Sequence, residues 1–254
     1  MSQVRGHQLG KGELTAARVG RDAMGMLRQS FWRVAAVAAL LFAVPVVLTG
    51  ALVEVIGVDR ELTGVGLTVA LSALAVAGFL RLFGAVVFAG FLDEAVGRQY
   101  LFGEPERFVE VIRRLPWMRL LVADVLLGLG TAIGFTLLVV PGIAVYALFG
   151  LVGPVMVQER LGLAPAFRRT YRLSRPALRL VVALVVIPVA FEHALHEVLA
   201  ATVESAGLGV RVLAEWLAAV VLGATIGLIE VALAAELIAR NPPAVSATEP
   251  AARS

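Results

Sequence analysis

The chain has 254 residues, of which 59% are hydrophobic and 16% charged, and its mean hydropathy is +0.89. This balance excludes an ordinary water-soluble domain and indicates a protein that lies in a bilayer. The net charge is only +3, and the absence of cysteine excludes disulfides and thiolate metal sites. Arginine outnumbers lysine twenty-one to one, a bias typical of high-GC bacteria, and we therefore place the protein in a bacterial inner membrane.

Long uncharged runs predict the membrane-spanning helices. About 20 apolar residues suffice to cross the hydrocarbon core as a helix. The uncharged runs at 34–53, 62–80 and 125–158 hold twenty, nineteen and thirty-four residues. Because the third run is long enough to cross twice, Pro141 and Gly142 predict a turn that divides it into two spans.

These runs and two later apolar segments predict an all-α integral membrane protein with six transmembrane helices in three hairpins. The first span is too long for a signal-peptide core, so we expect no cleavage. The predicted spans are 31–53, 62–92, 120–158 in two parts, 176–199 and 212–239. The predicted units are an N-terminal segment with an interfacial helix (1–30), the membrane domain (31–239) and a disordered tail (240–254).

The basic residues predict the orientation, because short cytoplasmic loops hold an excess of arginine and lysine. The segment from the N-terminus to Arg33 holds six basic residues, the link at 93–119 holds five and the link at 159–179 holds six. The opposite loops hold only Arg60 and Arg211. We therefore expect both termini and these two links to lie in the cytoplasm.

An amphipathic, arginine-bearing stretch precedes each hairpin, at 13–30, 105–115 and 163–175. Their apolar sides consist of Leu14, Met24, Leu27 and Phe31; Phe108, Val111, Ile112 and Leu115; and Ala164, Phe167 and Tyr171. Helices of this kind lie in the membrane surface with their arginines among anionic headgroups. We therefore predict three interfacial helices.

The densest group of arginines follows the fourth span. Its members are candidates for contact with lipid headgroups or a protein partner: Arg168, Arg169, Arg172, Arg175 and Arg179. The plainer interpretation is that they only set the topology. Nucleic acid is excluded as a partner, because no base-stacking aromatic platform accompanies the charge and every basic stretch adjoins a span.

One stretch of about fifty residues has a more specific pattern. An apolar run leads into Pro-Gly, the next span ends after a proline and in a glutamate, and a glycine-containing turn precedes an Ala-x-x-Arg-Thr-x-x-Leu segment. The residues concerned are Pro141, Gly142, Pro154, Glu159, Gly162, Ala166, Arg169, Thr170 and Leu173. This arrangement resembles the six-span membrane domain attached to some bacterial glycerophosphodiester phosphodiesterases and its stand-alone relatives, in which serine is usual where Thr170 stands. The resemblance implies a membrane architecture and carries over no activity, since nothing in the chain resembles the catalytic domain.

Two histidines in the stretch FEHALHEV provide the strongest sign of chemistry. His193 and His196 share one helical face, with Glu192 and Glu197 in i, i+4 positions, which is a plausible zinc ligand set. The order of residues is not that of the HExxH motif, and the stretch falls at the predicted outer interface. We therefore predict a polar rim here, and no catalytic, cofactor or metal site in the chain.

Two charges fall inside predicted spans. Arg81 and Glu230 both lie about 15 Å from the predicted inner boundary, and intramembrane charges almost always find partners. We predict that they form an ion pair. The resulting functional hypothesis is a non-enzymatic membrane scaffold or accessory module that organises lipids or a protein partner, with a second copy of the chain as another partner. The alternative is a transporter or permease of a small solute.

Overall fold

The computed structural model describes residues 12–56, 64–97, 99, 108–202 and 207–242. Residues 1–11, Arg60, the tail after residue 242 and the side chain of Phe108 lie outside the described part. The described ranges contain no strand. Their helices are α1 Ala16–Ile56, α2 Val65–Phe91, α3 Phe108–Arg114, α4 Trp117–Leu137, α5 Val139–Phe149, α6 Val152–Gln158, α7 Leu163–Ser174, α8 Leu178–Val181, α9 Ile187–Thr202 and α10 Leu208–Arg240. π-Helical turns at Leu92–Gly97 and Val182–Val186 continue α2 and join α8 to α9.

Six helical segments of the described chain are long and apolar enough to cross a membrane. They are Ala16–Leu52, Gly66–Gly97, Trp117–Leu137, Val139–Gln158, Leu178–Leu199 and Leu208–Arg240. In the most apolar part of each segment at most 39% of the residues are buried. Extensive exposed apolar surface is typical of a protein that contacts lipid. The prediction of an all-α chain with six spans is thus confirmed at the level of the helices.

The first helix differs from its prediction. The predicted interfacial helix and the first span form one continuous helix of 41 residues, α1. Of the predicted apolar side, Leu14 and Leu27 pack against the core, while Met24 and Phe31 are about half exposed. Val19, Ala23 and Met26 are buried as well. These three residues lie at i, i+4 and i+7, so they form one packed stripe along the helix. The start of α1 therefore packs against the bundle.

The third and fourth spans are separate, but the turn between them lies before the expected position. The chain is extended at Leu138, and Pro141 lies in the first turn of α5. Proline is tolerated there because the first N–H groups of a helix have no intrahelical acceptor. A Cβ on Gly134 would lie 2.7 Å from Gly142 Cα, so two glycines allow the two helices to approach closely.

Prolines also account for the interruptions within the fourth and fifth spans. The break between α5 and α6 comes four residues before Pro154, and the π-helical turn at Val182–Val186 comes just before Pro188. A proline lacks the N–H that would bond to the carbonyl four residues earlier, and its ring crowds that carbonyl. Each helix therefore changes its hydrogen-bonding pattern one turn before the proline.

The hydrophobic core lies towards one end of the bundle. Its largest fully buried side chains include Met26, Leu92, Leu151, Met156, Leu173, Leu228 and Leu233. They come from the first half of α1, the π-helical turn after α2, the turn before α6, helices α6 and α7, and the second half of α10. A Cβ on Gly227 would lie 2.5 Å from Leu92 Cδ1, so α10 and the end of α2 pack in close contact.

Candidate functional site

Ionic contacts connect neighbouring helices at the end of the bundle that contains the hydrophobic core. We call this the basic end; it comprises the starts of α1, α4 and α8, the ends of α2, α6 and α10, and helices α3 and α7. Glu236 is fully buried, and its Oε1 accepts a hydrogen bond from Arg18 Nε at 2.8 Å. Its Oε2 accepts bonds from Arg240 Nε and Nη2 at 3.2 and 3.1 Å. Two arginines therefore balance one buried carboxylate, which ties α1 to α10.

A second ionic contact fixes α7. Arg169 donates to Glu159 from Nε at 2.9 Å and from Nη2 at 2.8 Å, and its Nη2 also donates to the carbonyl of Asn241. Both side chains are mostly buried. A planar guanidinium that meets a carboxylate through two bonds is a strong and directional pairing. Arg169 is one of the five arginines predicted to contact lipid or a partner. Its guanidinium instead forms an ion pair within the protein.

The other four predicted arginines are exposed. Arg168, Arg172, Arg175 and Arg179 make no ion pair with any described residue, and Arg175 lies 6.0 Å from the centre of the Tyr171 ring. The buried face of α7 consists of Ala166, Thr170, Leu173 and Ser174. Of the predicted apolar side, Phe167 packs against the core, whereas Ala164 and Tyr171 are exposed, and the placement of this side in the membrane surface stays a prediction. Helix α7 is thus fixed on one side and presents arginines on another.

A pocket of about 610 Å³ opens at the basic end, where the second, third and fourth spans begin or end. It is lined by Glu94, Arg114, Pro116, Arg119, Met156, Val157, Arg160 and Leu161. Arg160 Nη2 lies 4.0 Å from Glu94 Oε1, and the Glu94 side chain is 6% exposed. The pocket therefore combines three guanidinium groups, one buried carboxylate and an apolar wall.

Arg160 has an unusual backbone conformation. Its φ is +52°, and it is the one non-glycine residue with positive φ among the described residues. The Arg160 N–H donates to Val157 O at 3.3 Å and the Leu161 N–H to Met156 O at 3.0 Å, a Schellman motif that ends α6. Glycine is the usual residue at this position, because the left-handed conformation costs other L-residues about 1–2 kcal/mol. Gly162, which the sequence analysis associated with the turn, has an ordinary φ of −74°.

Two acidic residues at the end of the second span were overlooked in the sequence. Asp93 and Glu94 lie in the π-helical turn that follows α2, and they are 1% and 4% exposed. The buried Oδ1 of Asp93 has no hydrogen-bond partner in the described part of the chain. Both residues directly follow the predicted end of the second span at Leu92, a position where acidic residues are common. Only the packing of α10 and α6 around this turn shows that both side chains are inside the protein.

The predicted intramembrane ion pair is not formed. Arg81 is exposed and Glu230 is half-buried, and no salt bridge joins them among the described residues. Arg81 makes no hydrogen bond to any described residue either. Equal depth along two helices places two charges at one level of the bundle, but their directions around each helix decide whether they meet.

The two histidines of FEHALHEV make local contacts. His193 Nδ1 donates to Val189 O, one turn earlier, at 2.8 Å, and His196 Nε2 lies 4.0 Å from Glu192 Oε1. No group of three or more histidine, aspartate or glutamate side chains in the described ranges is arranged to hold a metal ion. The interpretation of this stretch as a polar rim stays a prediction.

The helices of the described ranges define a multi-pass membrane protein, and the ionic contacts of Glu236, Glu159 and Glu94 lie at its basic end. The chain matches no family model, no curated protein and no solved structure. The resemblance to the membrane domain of glycerophosphodiester phosphodiesterases therefore stays a prediction.

Proposed function

We propose that this protein is a non-catalytic membrane scaffold that gathers anionic lipids at its basic end, which faces the cytoplasm of a bacterial cell. One observation carries the proposal: Arg168, Arg172, Arg175 and Arg179 are exposed on and just after α7, while the opposite face of α7 is buried. Arginines at a membrane surface each attract anionic lipid with about 1 kcal/mol. Two of them on α7 and two just after it provide a localised site for several headgroups.

The rigid attachment of α7 supports this function. The bidentate contact of Arg169 with Glu159 holds the helix, and Phe149 packs against Phe167 and Tyr171 with ring centres 5.6 and 6.1 Å apart. The four exposed arginines consequently keep a fixed arrangement relative to the spans. A preorganised cationic surface selects a lipid arrangement at a lower ordering cost than a mobile basic loop. A preorganised surface of this kind distinguishes a lipid scaffold from a basic loop whose only role is to set the topology.

The test compares the lipids that remain bound to the purified protein. Replacing all four exposed arginines with glutamine should reduce the number of anionic lipids retained in native mass spectrometry, while replacing them with lysine should preserve most of it. The control is Arg81→Gln, which removes an exposed arginine away from the basic end and should leave lipid retention unchanged. Equal retention in the wild type and the glutamine variant would refute the proposed function.

A transporter of a small solute is the second candidate, and one observation favours it. Asp93 lies in the second span, is 1% exposed, and has a carboxylate oxygen without a hydrogen-bond partner among the described residues. Carboxylates inside membrane-spanning segments frequently mark ion or substrate pathways. Currents evoked by small solutes in proteoliposomes on a solid-supported membrane, lost in Asp93→Asn, would favour this candidate over the scaffold.

A further inference from the structure

The pocket at the basic end has the shape and position of a headgroup site. It lies where the turn at Leu92–Gly97, the start of α4 at Trp117 and the end of α6 at Gln158 meet. Its volume of about 610 Å³ falls in the range of small-molecule sites. Because the ends of three spans surround it, a ligand there would lie at the level of the membrane surface.

The charges in the pocket favour an anion. Arg119 and Arg160 line the pocket together with a single carboxylate, that of Glu94, so these three groups carry a net positive formal charge. Guanidinium groups bind phosphate oxygens through two parallel hydrogen bonds, which a single ammonium group cannot do. The Glu94 carboxylate is buried and lies 4.0 Å from Arg160 Nη2, while the Arg160 side chain is 67% exposed, so the guanidinium stays accessible to a ligand.

The backbone of Arg160 provides an independent argument. The residue occupies the left-handed position of the Schellman motif, with φ +52°, where glycine would be relaxed. Arginine therefore stands at a position where its backbone is strained and its side chain lines the pocket. Conformational strain of this kind is concentrated at ligand-binding positions, where the side chain has a role that outweighs the loss of stability.

We propose that this pocket binds a phosphate group, held by Arg119 and Arg160 with Arg114 at its rim. The apolar wall of Pro116, Met156 and Leu161 lies beside the arginines, so the phosphate of a lipid fits the site with its glycerol and first methylenes against that wall. A free phosphate ion shares the same chemistry and is the alternative source. The proposal deepens the lipid-gathering function and rests on it for the lipid source, but it concerns a site separate from the four arginines of the α7 region.

Binding is measured on the delipidated full-length protein in detergent, by thermal shift and native mass spectrometry. The probes are dihexanoyl phosphatidylglycerol, inorganic phosphate and dihexanoylglycerol, which lacks the phosphate. We expect saturable stabilisation with one bound phosphatidylglycerol per chain and none with dihexanoylglycerol. An equal effect of inorganic phosphate would support the site and identify the free ion as the source. No saturable effect of either phosphate compound, or an equal effect of dihexanoylglycerol, would overturn the proposal.

Two variants locate the site. Arg119→Gln and Arg160→Gly should each raise the dissociation constant about 10-fold or more, since each removes charge-assisted hydrogen bonds to the phosphate. Unliganded Arg160→Gly should melt no lower than the wild type, because glycine suits the backbone. A lower melting temperature would overturn the argument from the strained backbone, and unchanged affinity in both variants would overturn the site.

A third variant separates this proposal from the proposed function. The glutamine variant of Arg168, Arg172, Arg175 and Arg179 should bind dihexanoyl phosphatidylglycerol in the pocket with wild-type affinity. If it retains all its native lipids while the pocket variants lose binding, the proposed function fails and the phosphate site stands. If pocket binding disappears in this variant, the assignment of the phosphate to the pocket is overturned.

Discussion

The two ends of the bundle differ in how closely their helices pack. Within α10, every residue from Val231 to Leu237 is buried, whereas between Leu208 and Gly223 Ala219 alone is buried. Helix α2 shows the same division, since its first half is largely exposed and the segment from Val86 to Phe88 is buried. The core and the ionic contacts of Glu236, Glu159 and Glu94 all belong to the basic end.

This division shows where the fold is determined. At the basic end, apolar packing and buried ion pairs act on the same helices, so the spans are fixed relative to one another there. At the opposite end, large apolar side chains such as Leu213, Leu217 and Val221 are about half exposed. In a bilayer these side chains gain little from packing on each other, because lipid tails are equally apolar. We therefore expect mutations to have far larger effects at the basic end.

The largest effect should come from the buried carboxylate of Glu236. Glu236→Ala leaves Arg18 and Arg240 without the carboxylate that they share, and removing one partner of a buried ion pair costs about 3–5 kcal/mol. The lower value applies, because the two arginines are 21% and 18% exposed and can regain water. The free energy of unfolding in mixed detergent and SDS micelles measures the loss.

The matched control lies in the same helix at the opposite end. Glu215 is half-buried and makes no ion pair with a described residue, so Glu215→Ala should change the free energy of unfolding by less than about 0.5 kcal/mol. Glu236→Gln keeps the shape and one acceptor and should fall between the two. Similar losses for Glu215→Ala and Glu236→Ala would contradict the division between the two ends.

A pair of leucines in α10 tests packing without charge. Leu233 is fully buried and Leu213 is 53% exposed. Leu233→Ala should cost about 2–5 kcal/mol, because the cavity it leaves in a packed core closes only partly. Leu213→Ala should cost much less, since lipid fills the space that the side chain leaves. The free energy of unfolding is measured in the same mixed micelles. Equal losses of stability in the two variants would show that the opposite end is packed as closely as the basic end.

The sequence was sufficient for the six apolar helices and for the division of the third uncharged run. Hydropathy and length determine these features, and neither depends on contacts between helices. The turn at Leu138 was misplaced because Pro141 is equally acceptable in a turn and in the first turn of a helix. The burial of Val19 and Ala23 in α1 was not predicted, because a search for large apolar side chains does not detect contacts that small residues make.

The functional residues were predictable only in part. The arginines of α7 share one segment, but only the structure separates Arg169, which is bound to Glu159, from the four that are exposed. Arg160 and Glu94 are far apart in the chain and meet because the ends of α2 and α6 converge. The positive φ of Arg160 had no signal in the sequence, since Gly162 is the residue that would be assigned to such a turn.

The smallest effect concerns a close approach at the opposite end, between α4 and α5. A Cβ on Gly134 would lie 2.7 Å from both Gly142 N and Gly142 Cα, and these backbone atoms cannot rotate away as a side chain can. Gly134→Ala should therefore separate the two helices near their turn and cost about 1–3 kcal/mol. Gly128 lies in the same helix with nothing within 4 Å of the added Cβ, so Gly128→Ala should be neutral or stabilising by up to about 1 kcal/mol. If both variants are as stable as the wild type, the third and fourth spans are not held together at this turn, and the loose packing of the opposite end extends to every helix there.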